Sequence, residues 1–250
     1  MNKNKIYFKG WLFILVIALF LFFDILEPPV HAEPSEKSIF TNNVSLFYNP
    51  HYFSENLPSK GISLTGDVSQ SFGADVNLVF LKAIAVDIKY NYNIFFIQRD
   101  EGGDLTRTDN ALKLKLGCIL PFNQNVVELK AGTFGALNIH NPISVQDTES
   151  YLDSGFQTIG IGKFLELGVK PLENIPWELN AELAYMPFVE VSKTTETGLP
   201  NLCQDIYFSI GTKYSIGIMF ANVKFFNDLL MGGDLAQTRR GTDIKVGIYF

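Results

Sequence analysis

Side chains that most often bind metals or act as nucleophiles are scarce in this chain of 250 residues. It contains two cysteines and three histidines. Neither a Gly-rich phosphate-binding loop nor a paired-cysteine metal motif occurs in it. The sequence therefore predicts no cofactor, no metal site and no enzyme activity.

An excess of basic residues is also missing. Lys and Arg number 20 against 26 Asp and Glu, which gives a formal net charge of −6. A nucleic-acid-binding protein would need a basic face, so no nucleic-acid partner is expected. Long apolar runs are lacking too, apart from Trp11–Phe23 near the amino terminus. This argues against a bundle of membrane-spanning helices, each of which needs roughly 20 apolar residues.

The amino-terminal segment has the three parts of a secretory signal. Lys3 and Lys5 provide a basic start, Trp11–Phe23 is the apolar part, and Val30–Ala32 supplies small residues for a signal peptidase. We expect cleavage after Ala32, so that residues 1–32 are a signal peptide and residues 33–250 are the mature domain. An uncleaved anchor is the alternative.

Elsewhere the apolar residues alternate with polar ones, which is the period of a half-exposed β-strand. Trp177–Tyr185 is the clearest example, because Trp177, Leu179, Ala181, Leu183 and Tyr185 oppose Glu178, Asn180 and Glu182. The sequence predicts ten antiparallel strands, with eight as the alternative count. They are placed at 39–48, 68–80, 84–96, 112–118, 127–138, 156–169, 177–185, 206–214, 218–226 and 242–250.

The predicted connections alternate between short and long. Short ones lie near Leu81, Pro121, Lys170 and Ser215, and long ones begin near Asn49, Arg99, Asn138, Ser192 and Asn227. The first strand then begins, and the last strand ends, on the side of the short turns. Transmembrane β-barrels show this asymmetry, with short periplasmic turns and longer outer loops.

The last strand, residues 242–250, places Ile244, Val246, Ile248 and Phe250 on one face and Asp243 and Lys245 on the other. It resembles the closing strand of bacterial outer-membrane β-barrels, which typically ends in Phe after alternate apolar residues. An ordinary terminal strand of a soluble sheet is the alternative. The resemblance implies a small porin-like or structural barrel in the Gram-negative outer membrane. It also implies contact with lipid and lipopolysaccharide, and recognition of these four residues by the barrel-assembly machinery.

The amount of apolar side chain indicates which face looks outward. A barrel near eight strands has an interior only just filled by its side chains, and the apolar set is too large for that space. We therefore expect it to face lipid, with aromatic residues at both ends of the band. A two-layer soluble sandwich is the structural alternative.

The polar face then lines a lumen with fixed charges, which must pair or stay hydrated. The predicted lumen residues are Lys113, Lys115, Glu128, Lys130, Glu166, Glu178, Glu182, Asp243 and Lys245. Turns centred near Asn123 and Glu173 would set Lys115 opposite Lys130 and Glu166 opposite Asn180. Each hairpin would concentrate one sign of charge, so we expect the lysines and glutamates to pair with one another inside a largely occluded barrel.

Three local features add further expectations. Lys163 falls among apolar residues of its strand, which predicts a bulge or slip there. Pro187 cannot donate to a ladder, which predicts an end or bulge near Met186. Cys118 and Cys203 would lie near opposite ends of a wall about 25 Å tall, too far apart for a disulfide.

These patterns predict a non-enzymatic outer-membrane β-barrel with a structural or narrow passive-permeation role. One alternative is a surface barrel that binds or adheres through its long loops. Another is a hydrolase at the rim, similar to the omptin-type proteases, with His140 beside Asp147 or Asp153. The oligomeric state stays open.

Overall fold

The computed structural model describes residues 39–57, 62–66, 68–98, 105–122, 126–141, 155–171, 176–192, 202–233 and 235–250. The predicted signal peptide, residues 1–32, lies outside this part of the chain. Within the described ranges, no helix has the length and apolar character to cross a membrane.

The described residues form eleven β-strands. They are β1 Asn43–Leu57, β2 Ile62–Gly66, β3 Ser69–Phe80, β4 Ile84–Gln98, β5 Leu105–Phe122, β6 Val127–His140, β7 Phe156–Val169, β8 Trp177–Val191, β9 Leu202–Ile216, β10 Met219–Gly232 and β11 Leu235–Tyr249. Each pairs antiparallel with its neighbours, and β11 pairs with β1, so the sheet closes into a barrel. β2 and β3 both lie between β1 and β4 and form successive parts of one wall strand. The wall therefore has ten strands, as the sequence predicts.

The outer face of the wall is apolar, whereas the inner face carries the charged residues together with a cluster of buried apolar side chains. Along β7, buried residues alternate strictly with exposed ones from Phe156 to Gly168. Ile161, on the outside, is 73% exposed, whereas Glu166, on the inside, is 9% exposed. The same order holds in the closing strand, where Ile244, Val246, Ile248 and Phe250 are exposed and Asp243 is buried. The apolar face thus points away from the lumen, as expected. The alternative of a two-layer soluble sandwich is wrong, because the sheet closes into one barrel.

The turns at one end of the barrel are tight. Leu81 and Lys82 connect β3 to β4 with positive φ angles of 53° and 56°, the sign pattern of a type I′ hairpin turn. Gly217, with φ 58°, connects β9 to β10. β1 begins and β11 ends at this same end, which is therefore the periplasmic end. Trp177, Tyr214 and Phe250 are exposed on the outer face here, in the position of an interfacial aromatic girdle.

Two predicted long loops are strand instead. β1 continues through Pro50 to Leu57, where a loop is predicted from Asn49. The missing N–H of Pro50 interrupts the β1–β11 ladder without shifting it, because Tyr48 pairs with Ile244 and His51 with Gly241 in one register. The loop predicted from Asn227 to Arg240 is also wrong, since β10 and β11 are joined over 233–234 alone. Similarly, β5 begins at Leu105 inside the loop predicted from Arg99 to Asp109.

The bulge predicted at Pro187 is confirmed, and the one predicted in the strand of Lys163 lies opposite it. Met186 pairs with Asp205 and Val189 with Cys203, so β8 carries one extra residue around Pro187. This extra residue of β8 also shifts the β7–β8 register between Ile161 and Lys163. β7 itself alternates without interruption, and Lys163 consequently lies on the outer face.

Both cysteines are free, as predicted. Cys118 is exposed on β5, and Cys203 is buried at the far end of β9.

Deleting Phe250 is expected to reduce the amount of folded protein in the outer membrane. Phe250 ends the strand that closes the barrel, and its backbone N–H donates to the carbonyl oxygen of Asn42 at 3.3 Å. The heat-dependent gel shift of folded barrels measures the effect. Phe225→Ala serves as the control, because Phe225 is an exposed aromatic residue of β10, outside the closing strand. An undiminished folded band after the deletion would contradict an assembly role for the carboxy terminus.

Candidate functional site: the charged lumen

The inner face of the barrel carries charge of both signs along its whole length. All nine predicted lumen residues lie on this face, and eight of them line a cavity of about 200 Å³. Glu128 is the exception; it is 1% exposed and lies at the periplasmic end.

Lys115 and Lys130 are at the centre of the largest group of ion pairs. Lys115 Nζ lies 2.5 Å from a carboxylate oxygen of both Glu166 and Glu182. Lys130 Nζ lies 2.6 Å from the other oxygen of Glu166 and 2.7 Å from Asp87. The chain of contacts Asp87–Lys130–Glu166–Lys115–Glu182 therefore joins β4, β6, β7, β5 and β8 inside the lumen. We refer to these five residues as the central network.

The register explains why the carboxylates need two lysines. Glu166 lies directly opposite Glu182 in the β7–β8 ladder, where like charges destabilise the pairing. The predicted partner, Asn180, faces Gly168 instead. Lys115 faces Phe134 and Lys130 faces Ile119, so the predicted Lys115–Lys130 pair is also wrong. The expected relief of the carboxylates by lysines from other strands nevertheless occurs.

Asp243 and Lys245, on the closing strand, belong to a second set of ion pairs. Lys245 Nζ lies 2.5 Å from Asp75 of β3, and Asp243 lies 3.1 Å from Lys89 Nζ of β4. Both lysine ammonium groups lie near the ring of Phe47, at 4.3 Å for Lys89 and 5.9 Å for Lys245. These contacts connect β11 with strands beyond its hydrogen-bonded neighbours.

The remaining predicted residues have other partners. Glu178 pairs with Lys213 of β9 at 2.5 Å and not with the lysines of β5 and β6. Lys113 lies over the rings of Phe134, at 4.3 Å, and Tyr207, at 5.1 Å. No carboxylate of the described residues forms an ion pair with Lys113.

A second charged cluster lies at the extracellular end and is absent from the sequence-based predictions. Arg107, which is 1% exposed, lies over the adjoining rings of Phe53 and Phe95, at 5.1 and 4.8 Å from their centres. Its guanidinium reaches Glu55 at 3.5 Å and Asp109 at 3.4 Å. We call these residues the Arg107 cluster. Arg107 and Asp109 share the parity of Lys113 and Lys115, and this signal could have revealed them.

His140 extends the Arg107 cluster. Its Nδ1 lies 2.7 Å from Asp109 Oδ2, and its ring stacks on Phe156 with centroids 4.0 Å apart. The loop acids Asp147 and Asp153, proposed as its partners, lie outside the described residues. Nearby, Arg239 forms an ion pair with Asp228 across the β10–β11 hairpin. The residues that the structure describes contain no cluster suited to a metal ion.

Comparison with solved structures identifies the fold. No protein-family model and no curated protein sequence matches the chain. The β domain of the Bordetella autotransporter BrkA is similar over 84% of this chain and 99% of that domain, at 11% identity and a TM-score of 0.50.

The chain is an outer-membrane β-barrel. Its apolar outer face and this fold together assign it to the bacterial outer membrane.

Two further solved barrels match at lower TM-scores. The translocator domain of the autotransporter NalP from Neisseria meningitidis is similar over 98% of this chain and 98% of that domain, at 10% identity and a TM-score of 0.43. An outer membrane channel from Pseudomonas putida F1 matches 88% of this barrel and 100% of the channel, at 7% identity and a TM-score of 0.45.

Most fixed charges in the lumen of this barrel belong to ion pairs. Its lysines and carboxylates contact side chains on other strands, so each pair fixes part of the wall. Breaking one partner of such a pair leaves a charge in a confined space, which is costly. The arrangement is suited to holding the wall together and to blocking the path along the barrel axis.

Proposed function

We propose that this outer-membrane barrel is closed in its resting state and has a structural or narrow passive-permeation role. The central network supports this proposal most directly, because its side chains link five consecutive wall strands, β4 to β8, within the lumen. Surface adhesion and hydrolysis at the rim stay predictions from the sequence.

Three further observations support a closed lumen. The Arg107 cluster places buried aromatic rings and paired charges in the lumen near its extracellular end. The cavity of about 200 Å³ is smaller than the roughly 300–1,000 Å³ of pockets for drug-sized ligands. Ten strands also stand much closer to the filled eight-stranded barrels than to open porins with sixteen or more.

Replacing Glu178 and Glu182 together by glutamine is expected to lower stability and to open an anion-preferring path. The change removes the carboxylate partner of Lys213 and one of the two carboxylates on Lys115. Positive charge in the lumen is then left in excess. Ion efflux from proteoliposomes and the urea unfolding midpoint measure the two effects.

Glu190→Gln is the matched control, because Glu190 lies on the same strand but is exposed on the outer face. It should equal the wild type in both measurements. A double variant that also equals the wild type in both would count against an occluding role for these ion pairs.

A further inference from the structure

The described chain begins inside the barrel. Ile39 is 4% exposed, and residues 39–41 line the same cavity as the central network. They precede β1, whose first residue, Asn43, pairs with both β3 and β11. These three residues, which we call the entry segment, therefore occupy the periplasmic mouth without belonging to the wall.

Two charged side chains bind the main chain of the entry segment. Glu128 Oε2 accepts the backbone N–H groups of Ile39, at 2.9 Å, and Phe40, at 3.0 Å. Lys213 Nζ donates to the carbonyl oxygen of Ile39 at 3.3 Å. Hydrogen bonds to charged groups are roughly twice as strong as neutral ones. A carboxylate and an ammonium group thus recognise one stretch of extended backbone through its own polar groups.

The wall is also shaped to receive the side chains of the segment. A Cβ atom added at Gly168 would lie 2.5 Å from Ile39 Cγ2, so the absence of a side chain there makes room for Ile39. The ammonium group of Lys130 lies 4.8 Å from the centre of the Phe40 ring. The wall therefore contacts both the main chain and the side chains of the entry segment at the periplasmic mouth.

The wall holds its own first strand independently of these contacts. The carbonyl oxygen of Asn42 accepts the N–H of Phe250, and its side-chain oxygen accepts the N–H of Val79 at 2.6 Å. The entry segment can consequently leave the lumen while Asn42 and β1 stay in the sheet.

We propose that Glu128, Lys213 and Gly168 form a binding site for an extended main chain at the periplasmic mouth. Its occupant is the entry segment of the same chain, which acts as a removable plug. When the segment leaves, the lumen opens toward the periplasm, and the site is free to accept another extended peptide. The proposal concerns one mouth only and does not require the extracellular end to open.

Accessibility of a thiol behind the segment tests this proposal. Asn180 lines the cavity and pairs with Gly168 in the sheet, so a thiol at position 180 lies beside Ile39. The probe is Asn180→Cys in a full-length chain that also carries Cys118→Ser and Cys203→Ser. The folded protein is labelled with a small cationic methanethiosulfonate reagent. We expect slow labelling in this parent.

Three changes should each accelerate labelling at least tenfold. Glu128→Ala removes the acceptor of the two N–H groups, and Gly168→Ala displaces Ile39 from the wall side. Replacing residues 39–41 by Gly-Ser-Gly removes the side chains of the segment. Gly135→Ala is the control, because an added Cβ there meets only Gly160 O, at 3.9 Å, and its rate should stay within twofold of the parent.

The heat-dependent gel shift shows which variants are folded, and only these are compared. If the larger changes prevent folding, the labelling rate of Gly168→Ala relative to the parent is the test. Equal labelling rates in the parent and in the folded variants would overturn the proposal, as would fast labelling of the parent. A wild type that conducts ions would instead refute the closed lumen and leave the plug to be judged by labelling alone.

Discussion

Replacing Lys115 by methionine is expected to lower the free energy of unfolding by about 3–5 kcal/mol, the usual cost of removing one partner from a buried ion pair. Lys115 contacts both Glu166 and Glu182, which lie opposite each other in the β7–β8 ladder. Without it, two adjacent carboxylates repel each other, and only Glu166 keeps a lysine, Lys130. Urea unfolding of the barrel in lipid vesicles, followed by tryptophan fluorescence, measures the change.

Lys113→Met is the matched control for this experiment. Lys113 lies two positions away on the same face of β5 and contacts the rings of Phe134 and Tyr207. Methionine can keep much of that packing, so the loss should be much smaller than for Lys115. Equal losses for the two variants would show that the central network contributes nothing specific to the stability of the wall.

Replacing Lys163 by leucine is expected to raise the free energy of unfolding by about 2–4 kcal/mol, the cost of a lysine facing lipid at the middle of a bilayer. Lys163 lies on the outer face of β7, between Ile161 and Leu165. The outward positions Ile159 and Leu167 continue the apolar band on both sides. The same vesicle-based unfolding measurement reports the gain.

Arg240→Leu is the control for Lys163. Arg240 is also exposed on the outer face, but it pairs with Asn227 and Tyr52 near the extracellular end of the wall. There the cost of a cationic residue is only about 0–1 kcal/mol. A Lys163→Leu protein no more stable than the wild type would mean that the middle of β7 does not face lipid.

Alternation in the sequence predicts the wall because the two faces of each strand differ so strongly. In Trp177–Tyr185 every predicted outward residue lies outside, and Glu178 and Glu182 lie inside. The nine lumen residues follow from the same parity. Parity carries no information on which strand a side chain reaches across the lumen, so the partner of Glu178 was not predictable.

The alternation of apolar and polar residues does not determine the register between neighbouring strands. The β5–β6 hairpin sets Lys115 against Phe134, because its turn is centred closer to residues 124–125 than to Asn123. Shifting the centre of a turn by one residue shifts the pairing by two, which keeps every side chain on its face. The polar residues around this turn do not distinguish between such shifts.

Amino-acid composition alone predicts a loop where the end of a strand is rich in charged residues. The predicted loop from Asn227 to Arg240 contains three charged residues near its ends, Asp228, Arg239 and Arg240. In the barrel, Asp228 and Arg239 point inward and pair with each other. Gly233-Asp234 is a sequence signal for a two-residue hairpin, and it could have indicated the connection between β10 and β11.

Ion pairs and packed rings are proposed to close the lumen of this barrel. Single-channel recording of the wild-type protein in planar bilayers at neutral pH tests this proposal most directly. A closed lumen should give a flat baseline with no stable conductance steps. Stable steps of the size seen for open porins would contradict it.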